Sequence, residues 1–290
     1  MGEAVEIVEV GPRDGLQNEP DLIATDAKIE LVNKLSAVGF RRIEIASFVN
    51  PKRVPQMADG SAVFAGIRKA GTVKYTALTP NLQGFERALE SKADEIAVFA
   101  SASEGFSQAN LNCSISESLE MFAPVIEAGK SHGTPVRGYV SCIVECPYDG
   151  PIAPEATASV SGALFQAGCG EISLGDTIGR GTPDQVAAAL ESVRNVVPVA
   201  ALAGHFHDTS GRALENVDVA LEAGLRVFDG AAGGLGGCPF APGAAGNLAT
   251  EDLARHLATR GFQTGLDLEK LQSAAEFARA LRQEPQTWIH

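Results

Sequence analysis

The feature that most constrains the fold is the regular alternation of short apolar runs with longer amphipathic segments. Runs typical of β-strands occur at residues 6–10, 41–47, 74–79, 95–101, 136–142, 171–175, 201–207 and 226–231. The segments between them, such as TDAKIELVNKLSAVG and TPDQVAAALESVRNVV, have helical apolar spacing and begin or end at Thr, Asn or Gly. Eight βα units in a chain of 290 residues predict an α/β fold, the TIM (β/α)8 barrel.

The alternation continues without a linker or a low-complexity segment, so we expect residues 1–290 to form a single domain. A doubly wound open sheet is the rival fold, but GPRDGLQNEP after the first strand is neither a GxGxxG fingerprint nor a P-loop. After the eighth helical segment, the stretch LDLEKLQSAAEFARALR predicts one additional helix. We expect this C-terminal extension, residues 266–290, to pack on the barrel or on a partner subunit.

Charge and cysteine content exclude several classes of function. A formal net charge of -13 disfavours nucleic acid and anionic membranes as partners. The N-terminus lacks the pattern of a signal peptide and no apolar run has the length of a membrane span, so we expect a cytoplasmic protein. Five cysteines without a CxxC pair favour reduced thiols over a disulfide framework or a thiolate zinc site.

Unusual polar residues fall at the C-terminal ends of the predicted strands, where TIM barrels carry their active sites. They are Arg13, Asp14, Glu44, Ser141, Asp176, His205 and His207. A second cluster of signals lies in the loop after the eighth strand, which reads AAGGLGGCPFAPGAAGNLATEDL. The sequence therefore predicts a catalytic site at the barrel mouth.

His205 and His207 lie one residue apart on the predicted seventh strand, so their side chains point to the same face. For an isolated HxH pair, structural histidines are the commoner explanation. In a closed barrel, however, strands seven, eight and one are neighbours, which brings Asp14 and the Asn247 carboxamide to the histidines. Two imidazoles and two oxygens predict a divalent metal site with open positions. The oxygens favour Mg or Mn, and the imidazoles also admit Co, Zn or Fe.

Two further residues fit a catalytic role at the same mouth. Arg13, beside Asp14, supplies a fixed cation where an anion can develop, although it can equally pair with Glu44. Cys238 follows the glycine-rich GGLGG and, as a protonated thiol near neutrality, can donate a proton to substrate. A small apolar residue before a proline turn is the equally good alternative for Cys238.

Seven segments of the chain resemble the 3-hydroxy-3-methylglutaryl-CoA (HMG-CoA) lyase family of the HMGL-like superfamily. The resemblance covers nearly the whole chain and rests on VEVGPRDGLQNE, IEIASFVNPKRVPQMAD, LTPNLQGFE, SCIVECPYDG, EISLGDTIGRGTP, HFHDT and GGLGGCPFAPGAAGNLATEDL. The last segment is similar to the signature loop of these lyases. The superfamily also contains Claisen-type synthases, which share the RDG element and the HxH pair.

The resemblance implies metal-dependent retro-Claisen cleavage of a 3-hydroxyacyl-CoA, with HMG-CoA giving acetyl-CoA and acetoacetate. It implies a metal held by Asp14, His205, His207 and Asn247, an enolate stabilised by Arg13 and a proton donated by Cys238. The base that takes the hydroxyl proton is His205 by first choice, with a metal-bound water or Asp14 as alternatives. Supporting carboxylates are then Glu44, Asp176 and Glu251. The expected substrate-binding residues are Arg13, Gln17, Ser47, Ser141 and Asp176.

Coenzyme A contacts are expected from cations in the loops after the strands, namely Lys52, Arg53 and Arg180, although ordinary solvated charges explain these side chains equally well. The resemblance also implies a homo-oligomer, a dimer or larger. An isopropylmalate- or homocitrate-type synthase is the runner-up enzyme, but such chains lack the GLGGCPF loop. A catalytically inactive barrel protein would need a lost ligand or acid, and none of these residue types is lost.

The sequence departs from the family pattern at several positions. Ala46 stands where Thr is familiar, Arg53 replaces a Trp, Pro20 replaces a Lys, and Phe206 and Ser210 lie in the histidine segment. We expect the changes at positions 46, 53 and 210 to border the substrate and the CoA entrance, and Phe206 and Ser210 to bear on substrate choice. Alternative substrates are citramalyl-CoA, methylmalyl-CoA or a longer 3-hydroxy-3-alkylglutaryl-CoA.

Overall fold

A computed structural model describes residues 2–236 and 246–282 of the chain. Eight parallel strands close into a barrel within this part. They are β1 (Glu6–Glu9), β2 (Arg42–Ser47), β3 (Lys74–Leu78), β4 (Glu95–Ser101), β5 (Val136–Ser141), β6 (Glu171–Asp176), β7 (Leu202–Phe206) and β8 (Val227–Gly230). The prediction of a TIM barrel is confirmed, and each strand end lies within one residue of the range expected from sequence.

Sequential strands are neighbours around the barrel, and β8 closes it against β1. The register pairs Glu6 with Val227 and Glu9 with Gly230 across this closing seam, and Phe228 with Gly204 between β8 and β7. Strands seven, eight and one are therefore consecutive, as the metal-site prediction requires.

Ten helices occur in the described ranges and cover the outside of the barrel. They are α1 (Thr25–Ser36), α2 (Gly60–Gly66), α3 (Leu82–Glu90), α4 (Glu104–Leu111), α5 (Ile115–His132), α6 (Pro154–Ala167), α7 (Pro183–Arg194), α8 (Ala213–Glu222), α9 (Thr250–Thr259) and α10 (Leu268–Ala280). Capping follows the sequence signals in several of them. Thr182 forms a capping box with Gln185, and Asn81 accepts a bond from the Gly84 amide, whereas α1 begins at Thr25 without a side-chain cap.

The sequence prediction missed three elements. Helices α2 and α4 are short, with seven and eight residues, so neither repeats an apolar face often enough to show helical periodicity. A small antiparallel hairpin pairs Glu145–Cys146 with Gly150–Pro151 after β5. All three lie in the connections that follow β2, β4 and β5.

The main hydrophobic core lies between the strands and the helices, and the barrel interior holds charged side chains beside a small second cluster of Leu78, Ala97 and Tyr139. Ile43, Tyr75 and Phe228 are among the fully buried side chains of the outer layer. Inside, Arg42 on β2 reaches Glu171 on the opposite strand β6, with its two guanidinium nitrogens 2.9 and 3.0 Å from the two carboxylate oxygens. Charged side chains thus fill the floor of the barrel.

Helix α10 is the predicted additional C-terminal helix, and it packs on this chain itself. Its buried face is made of Leu271 and three alanines. The helix contacts α1, α9 and the 3-10 turn Ala232–Gly234 that follows β8. Among residues 2–236 and 246–282, no helix is both long and apolar enough to cross a membrane.

Candidate active site

A single turn of π-helix, Gly11–Gly15, presents Arg13 and Asp14 at the end of β1. The backbone amides of Arg13, Asp14 and Gly15 all donate to the carbonyl oxygen of Val10, at 3.2, 2.8 and 3.2 Å. π-Helical turns are rare and occur often at functional sites. The turn places Arg13 and Asp14 directly after β1.

Buried carboxylates and an aromatic ring hold the Arg13 guanidinium in place. Its Nε donates to Glu44 Oε2 at 2.7 Å, its Nη1 donates to Asp14 Oδ1 at 2.6 Å, and its Cζ lies 5.4 Å from the Tyr139 ring centroid. Burial disfavours the charged guanidinium, but Glu44 and Asp14 outweigh burial and raise the pKa of Arg13. The site therefore contains a permanent, rigid cation.

His205 and His207 converge on Asp14. Their Nε2 atoms lie 3.3 Å apart, and His205 Nε2 lies 3.8 Å from Asp14 Oδ2. One ligand atom from each of the three residues can be chosen so that all lie within 4.8 Å of one another. Although burial opposes ionisation of Asp14, Arg13 and the two imidazoles lower its pKa to about 2, so it is a carboxylate at neutral pH.

The protonation state of His207 suits ligation by a nitrogen lone pair, and the ring of His205 is oriented by a carboxylate behind it. Burial, together with the neighbouring His205, lowers the pKa of His207 to about 4, so His207 is neutral near pH 7. His205 Nδ1 lies 3.1 Å from Asp229 Oδ2, which fixes the ring with Nε2 facing Asp14. Burial acts to lower the pKa of His205, but Asp229 outweighs it and raises the pKa.

Asp229 on β8 is a residue that the sequence analysis missed. It is buried and accepts hydrogen bonds from Arg137 Nη2 at 2.7 Å and Ser173 Oγ at 2.8 Å. The available signal was an acidic residue inside the apolar strand VFDG. Tyr139 was missed as well; its hydroxyl donates to Glu44 Oε2 at 3.1 Å.

Asn247 meets the site from the segment after β8, but with its amide nitrogen. Asn247 Nδ2 lies 2.9 Å from Asp14 Oδ2 and 3.2 Å from the carbonyl oxygen of Leu235. The predicted ligand is the carboxamide oxygen, which requires the amide to turn by 180° about its terminal torsion. In the turned orientation Nδ2 would give up its hydrogen bonds to Asp14 and to the Leu235 carbonyl oxygen, and a cation beside Asp14 would then compensate for the approach of Oδ1 to the carboxylate.

Several buried polar atoms at the mouth have no hydrogen-bond partner among the residues that the structure describes. We call them the open mouth atoms: Gln17 Oε1, Glu44 Oε1, Ser47 Oγ, Asp176 Oδ1 and His207 Nδ1. Buried polar atoms are normally paired, so a group of open ones at the carboxyl ends of β1, β2, β6 and β7 is typical of a site that pairs them with a ligand.

Asp176 at the end of β6 is one of these residues, and its environment is distinctive. Its Oδ2 accepts from the backbone amide of Gly181 at 2.9 Å. Burial raises the pKa of Asp176 to about 6. A buried carboxyl group with a pKa shifted toward neutrality is typical of functional sites.

Other predicted residues lie away from this cluster. Glu251, at the start of α9, contacts Arg279 of α10 and the Gly233 amide. Lys52 and Arg53 are exposed after β2, and Arg180 follows β6 on the opposite side of the barrel, 3.4 Å from Glu145. Ser141 ends β5 and is partly exposed. Cys238 lies outside the described residues.

Two substrate-choice expectations are corrected by the structure. Ala46 is buried and packs outward against α2, because a Cβ at Gly60 would lie only 3.1 Å from the Ala46 Cβ. Phe206 points away from the histidines, and its ring lies next to Gly204 and Phe228 in the outer layer. Alternation along β7 places Phe206 on the face opposite to His205 and His207. For Ala46 the cause is a register irregularity of β2 between Glu44 and Ala46, which turns Ala46 to the helix side although it lies two residues after Glu44. Ser210 is exposed, and its amide donates to the Gly179 carbonyl at 3.1 Å.

The donor set fits a divalent cation. A carboxylate and two imidazole nitrogens face one point, His205 is oriented by a carboxylate behind it, and His207 Nδ1 is an open mouth atom. A cation at that point would also relieve the close approach of two imidazole lone pairs to a carboxylate. The described residues therefore fit the predicted metal centre.

Comparison with known proteins supports this chemistry. The HMGL-like family model matches residues 4–278. A Mus musculus protein named 3-hydroxy-3-methylglutaryl-CoA lyase, cytoplasmic, is 55% identical over 277 residues, which cover 96% of this chain and 81% of the mouse protein. A Pseudomonas aeruginosa protein named 3-hydroxy-3-isohexenylglutaryl-CoA/hydroxy-methylglutaryl-CoA lyase is 54% identical over 276 residues, which cover 95% of this chain and 92% of that protein.

Structural similarity is equally extensive. A crystal structure of the HMG-CoA lyase from Brucella melitensis has a TM-score of 0.97 to this chain at 60% sequence identity. The match covers 97% of this chain and all, 100%, of that chain. The family model, the identity with both relatives and the shared barrel agree over nearly the whole length. This chain belongs to the HMGL-like family.

Proposed function

We propose that this protein is a divalent-metal-dependent carbon–carbon lyase that cleaves HMG-CoA to acetyl-CoA and acetoacetate. The observation that carries the proposal is the convergence of Asp14, His205 and His207 within 4.8 Å at the barrel mouth, directly beside the buried Arg13. The HMG-CoA lyase names of the mouse and Brucella melitensis relatives support the choice of substrate.

Asp14, His205 and His207 would hold the metal, with Asn247 as a fourth ligand through its carboxamide oxygen. Mg or Mn suits the oxygen ligands best, and Co or Zn is compatible with the imidazoles. When bound, such a cation supplies Lewis-acid polarisation of the substrate hydroxyl and carboxylate oxygens. His205 is oriented for ligation by Asp229, because a proton on Nδ1 leaves the Nε2 lone pair facing Asp14.

Cleavage requires that the C3 hydroxyl lose its proton and that the C2–C3 electron pair pass to C2. The hydroxyl carbon becomes the ketone of acetoacetate, and the other fragment is the enolate of acetyl-CoA. Arg13 is fixed by Glu44 and Asp14 at the mouth, so it can stabilise the enolate oxygen without reorganising during the reaction. Cys238 remains our proposed donor of the proton that C2 receives.

The base is constrained by the geometry of His205. Its Nδ1 faces Asp229, so only Nε2 faces the site, and one lone pair cannot ligate a metal and accept a proton at the same time. With His205 as a ligand, Glu44 offers its Oε1, which is an open mouth atom. Complete burial raises the pKa of Glu44 in spite of Arg13, which strengthens this carboxylate as a base.

The open mouth atoms of Gln17, Ser47 and Asp176, together with Ser141, are our proposed substrate contacts. Lys52 and Arg53 after β2 and Arg180 after β6 are proposed contacts for the coenzyme A phosphates. These loops lie on opposite sides of the barrel, so the two groups would meet different parts of the coenzyme. We also propose a cytoplasmic homo-oligomer; the mouse relative's name includes the word cytoplasmic.

A larger acyl group is the second candidate, because the Pseudomonas aeruginosa relative is named for 3-hydroxy-3-isohexenylglutaryl-CoA as well. The experiment is to incubate the purified protein with Mg or Mn and separate samples of HMG-CoA, the isohexenyl analogue, citramalyl-CoA and methylmalyl-CoA. We expect metal-dependent release of acetyl-CoA and acetoacetate from HMG-CoA. Turnover of another thioester without turnover of HMG-CoA would contradict the proposal, as would net condensation from acetyl-CoA.

A further inference from the structure

Helix α10 lies outside the barrel, yet it packs directly on the glycine-rich segment 233–236 that follows β8. Gly233 has a φ of 72°, and a Cβ at this position would lie 2.8 Å from the carbonyl oxygen of Ala275 and 3.0 Å from Cγ of Arg279. The close approach of the helix therefore excludes any side chain at Gly233. The helix and this segment form one packed unit.

Arg279 in the last turn of α10 fixes the first residue of the segment through Glu251. Its Nη1 donates to Glu251 Oε1 at 2.6 Å, and the other oxygen of Glu251 accepts from the Gly233 amide at 3.0 Å. The Glu251 side chain is only 7% exposed, whereas the Arg279 side chain is 40% exposed. This explains why Glu251 lies away from the metal cluster.

Arg282, two residues after the end of α10, also binds residues 233–236. Its Nε donates to Glu19 Oε1 at 2.8 Å, and its Nη2 donates to the carbonyl oxygen of Gly234 at 2.6 Å. Glu19 Oε1 also accepts from the Gly236 amide at 3.4 Å. A guanidinium can make both bonds because its donors form a planar fork.

Residues 233–236 in turn contact two residues beside the proposed metal site, Asn247 and Gly15. The carbonyl oxygens of Leu235 and Gly236 accept from the side chain and the backbone of Asn247, each at 3.2 Å. Leu235 also packs against Gly15, where a Cβ would lie 2.6 Å from the Leu235 Cβ. Asn247 Nδ2 then donates to Asp14 Oδ2 at 2.9 Å.

We propose that Arg279 and Arg282 are positioning residues for the metal site, because they fix the backbone of residues 233–236 that holds Asn247 and Gly15 beside Asp14. The inference rests on the proposed function, in which Asp14 and Asn247 are metal ligands. It gives the C-terminal helix a role in a site that none of its own side chains reaches.

The expected effect is on metal affinity and not on global stability. Both arginine side chains are partly exposed, and such ion pairs contribute little to the free energy of unfolding. A substitution outside a binding site can loosen a segment that supports the site. Such substitutions change the site's affinity for its ligand by a few-fold to about tenfold. We therefore expect the Arg279→Ala/Arg282→Ala double variant to bind Mn more weakly by roughly three- to tenfold. Its melting temperature should stay within about 4 °C of the wild type.

The test combines Mn titration calorimetry, without substrate, with hydrogen exchange of the amides at residues 232–236 in metal-free protein. The matched control is Arg255→Ala on α9, which removes another exposed arginine whose partners are Asp252 and Gln272. We expect faster exchange at Gly233 and Gly236 and weaker Mn binding in the double variant, with neither change in the control.

The outcomes separate the two proposals. Wild-type protein that binds no divalent metal contradicts the proposed function, and the inference falls with it. If the wild type binds Mn and the double variant binds it as tightly as Arg255→Ala does, the inference alone is wrong. Unchanged exchange at residues 232–236 would also overturn it, because the arginines would then not hold this segment.

Discussion

The floor and the mouth of the barrel both contain buried charges, but the two regions differ in how completely these charges are paired within the protein. At the floor, Glu6, Arg42, Glu95, Arg137 and Glu171 form a network in which every carboxylate faces a guanidinium. The mouth cluster is packed as tightly and consists of Arg13, Asp14, Glu44, His205 and His207. In this cluster, however, Glu44 Oε1 and His207 Nδ1 have no hydrogen-bond partner among the described residues.

The difference separates structural charge from functional charge. A buried ion requires compensation, and the floor network supplies it entirely from the protein. The mouth leaves part of that compensation to a ligand. Burial alone therefore does not identify an active site in this barrel, whereas burial together with incomplete hydrogen bonding does.

Asp229 joins the two regions. It accepts from Arg137, which also donates to Glu171 at 2.7 Å on the floor, and it orients His205 at the mouth. Arg137 and His205 outweigh the cost of burial and lower the pKa of Asp229, so it remains ionised. The floor thus supplies the charge that fixes the tautomer of a proposed ligand.

The largest effect on stability is expected at the floor, from Arg137→Met. The side chain is fully buried, and its loss leaves Asp229 and Glu171 without their shared cation. Breaking a buried pair by removing one partner costs about 3–5 kcal/mol. Urea unfolding of metal-free protein measures this loss, and Lys270→Met, which removes an exposed pair with Asp267, serves as the control. Equal effects of the two substitutions would show that the floor network contributes no more than surface charge.

At the mouth, His207→Ala should lose metal binding while keeping most of the stability. His207 is neutral near pH 7 and one of its ring nitrogens is an open mouth atom, so its removal breaks little internal pairing. Loss of a direct ligand should weaken Mn affinity by more than about 100-fold, the upper range for groups that only orient a ligand. Calorimetry and urea unfolding on the same samples test both halves. Metal bound at wild-type affinity would remove His207 from the ligand set.

At the junction, Asp229→Asn should weaken Mn binding by about 10- to 100-fold, because the charge behind His205 is lost. Ser173→Ala is the matched control. It removes the 2.8 Å hydrogen bond of Ser173 to the same carboxylate without changing its charge. We expect the control to retain most of the affinity. If both variants bind Mn equally well, the charge of Asp229 does not tune the ligand.

The fold was predictable from sequence because strands of a barrel repeat one simple pattern. Eight apolar runs of similar length, each followed by a helix, specify the order of strands, and right-handed crossovers leave one closed arrangement. The short α2 and α4 escaped prediction because their apolar faces span too few turns. The packing of α10 against Gly233 depends on close backbone contact, which no periodicity records.

The metal cluster was predictable only in part. The HxH spacing and the closure of the barrel indicate Asp14, His205 and His207 without any coordinates. Asp229 was missed because a single acid in a strand carries no spacing signal, and its partner Arg137 is 92 residues away in sequence. Glu251 was expected from a motif to be a supporting carboxylate, and its partners in the structure are Arg279 and the Gly233 amide, which the motif alone does not indicate. Residue type and position indicate ligands better than they indicate which side chains support them.

The last substitution, Asp176→Asn, is expected to raise stability, whereas Arg137→Met at the floor lowers it. Burial raises the pKa of Asp176 to about 6 from its ordinary value of 3.8. Between about pH 4 and pH 6 the unfolded chain therefore ionises while the folded protein keeps its proton, so this residue lowers stability as the pH rises. We expect Asp176→Asn to stabilise metal-free protein by up to about 3 kcal/mol above pH 6, with the gain vanishing near pH 4. Urea unfolding across this pH range measures the difference, and Asp252→Asn, an exposed acid, is the control. A loss of stability at pH 7 in Asp176→Asn would mean that the mouth, like the floor, has its charges fully compensated by the protein.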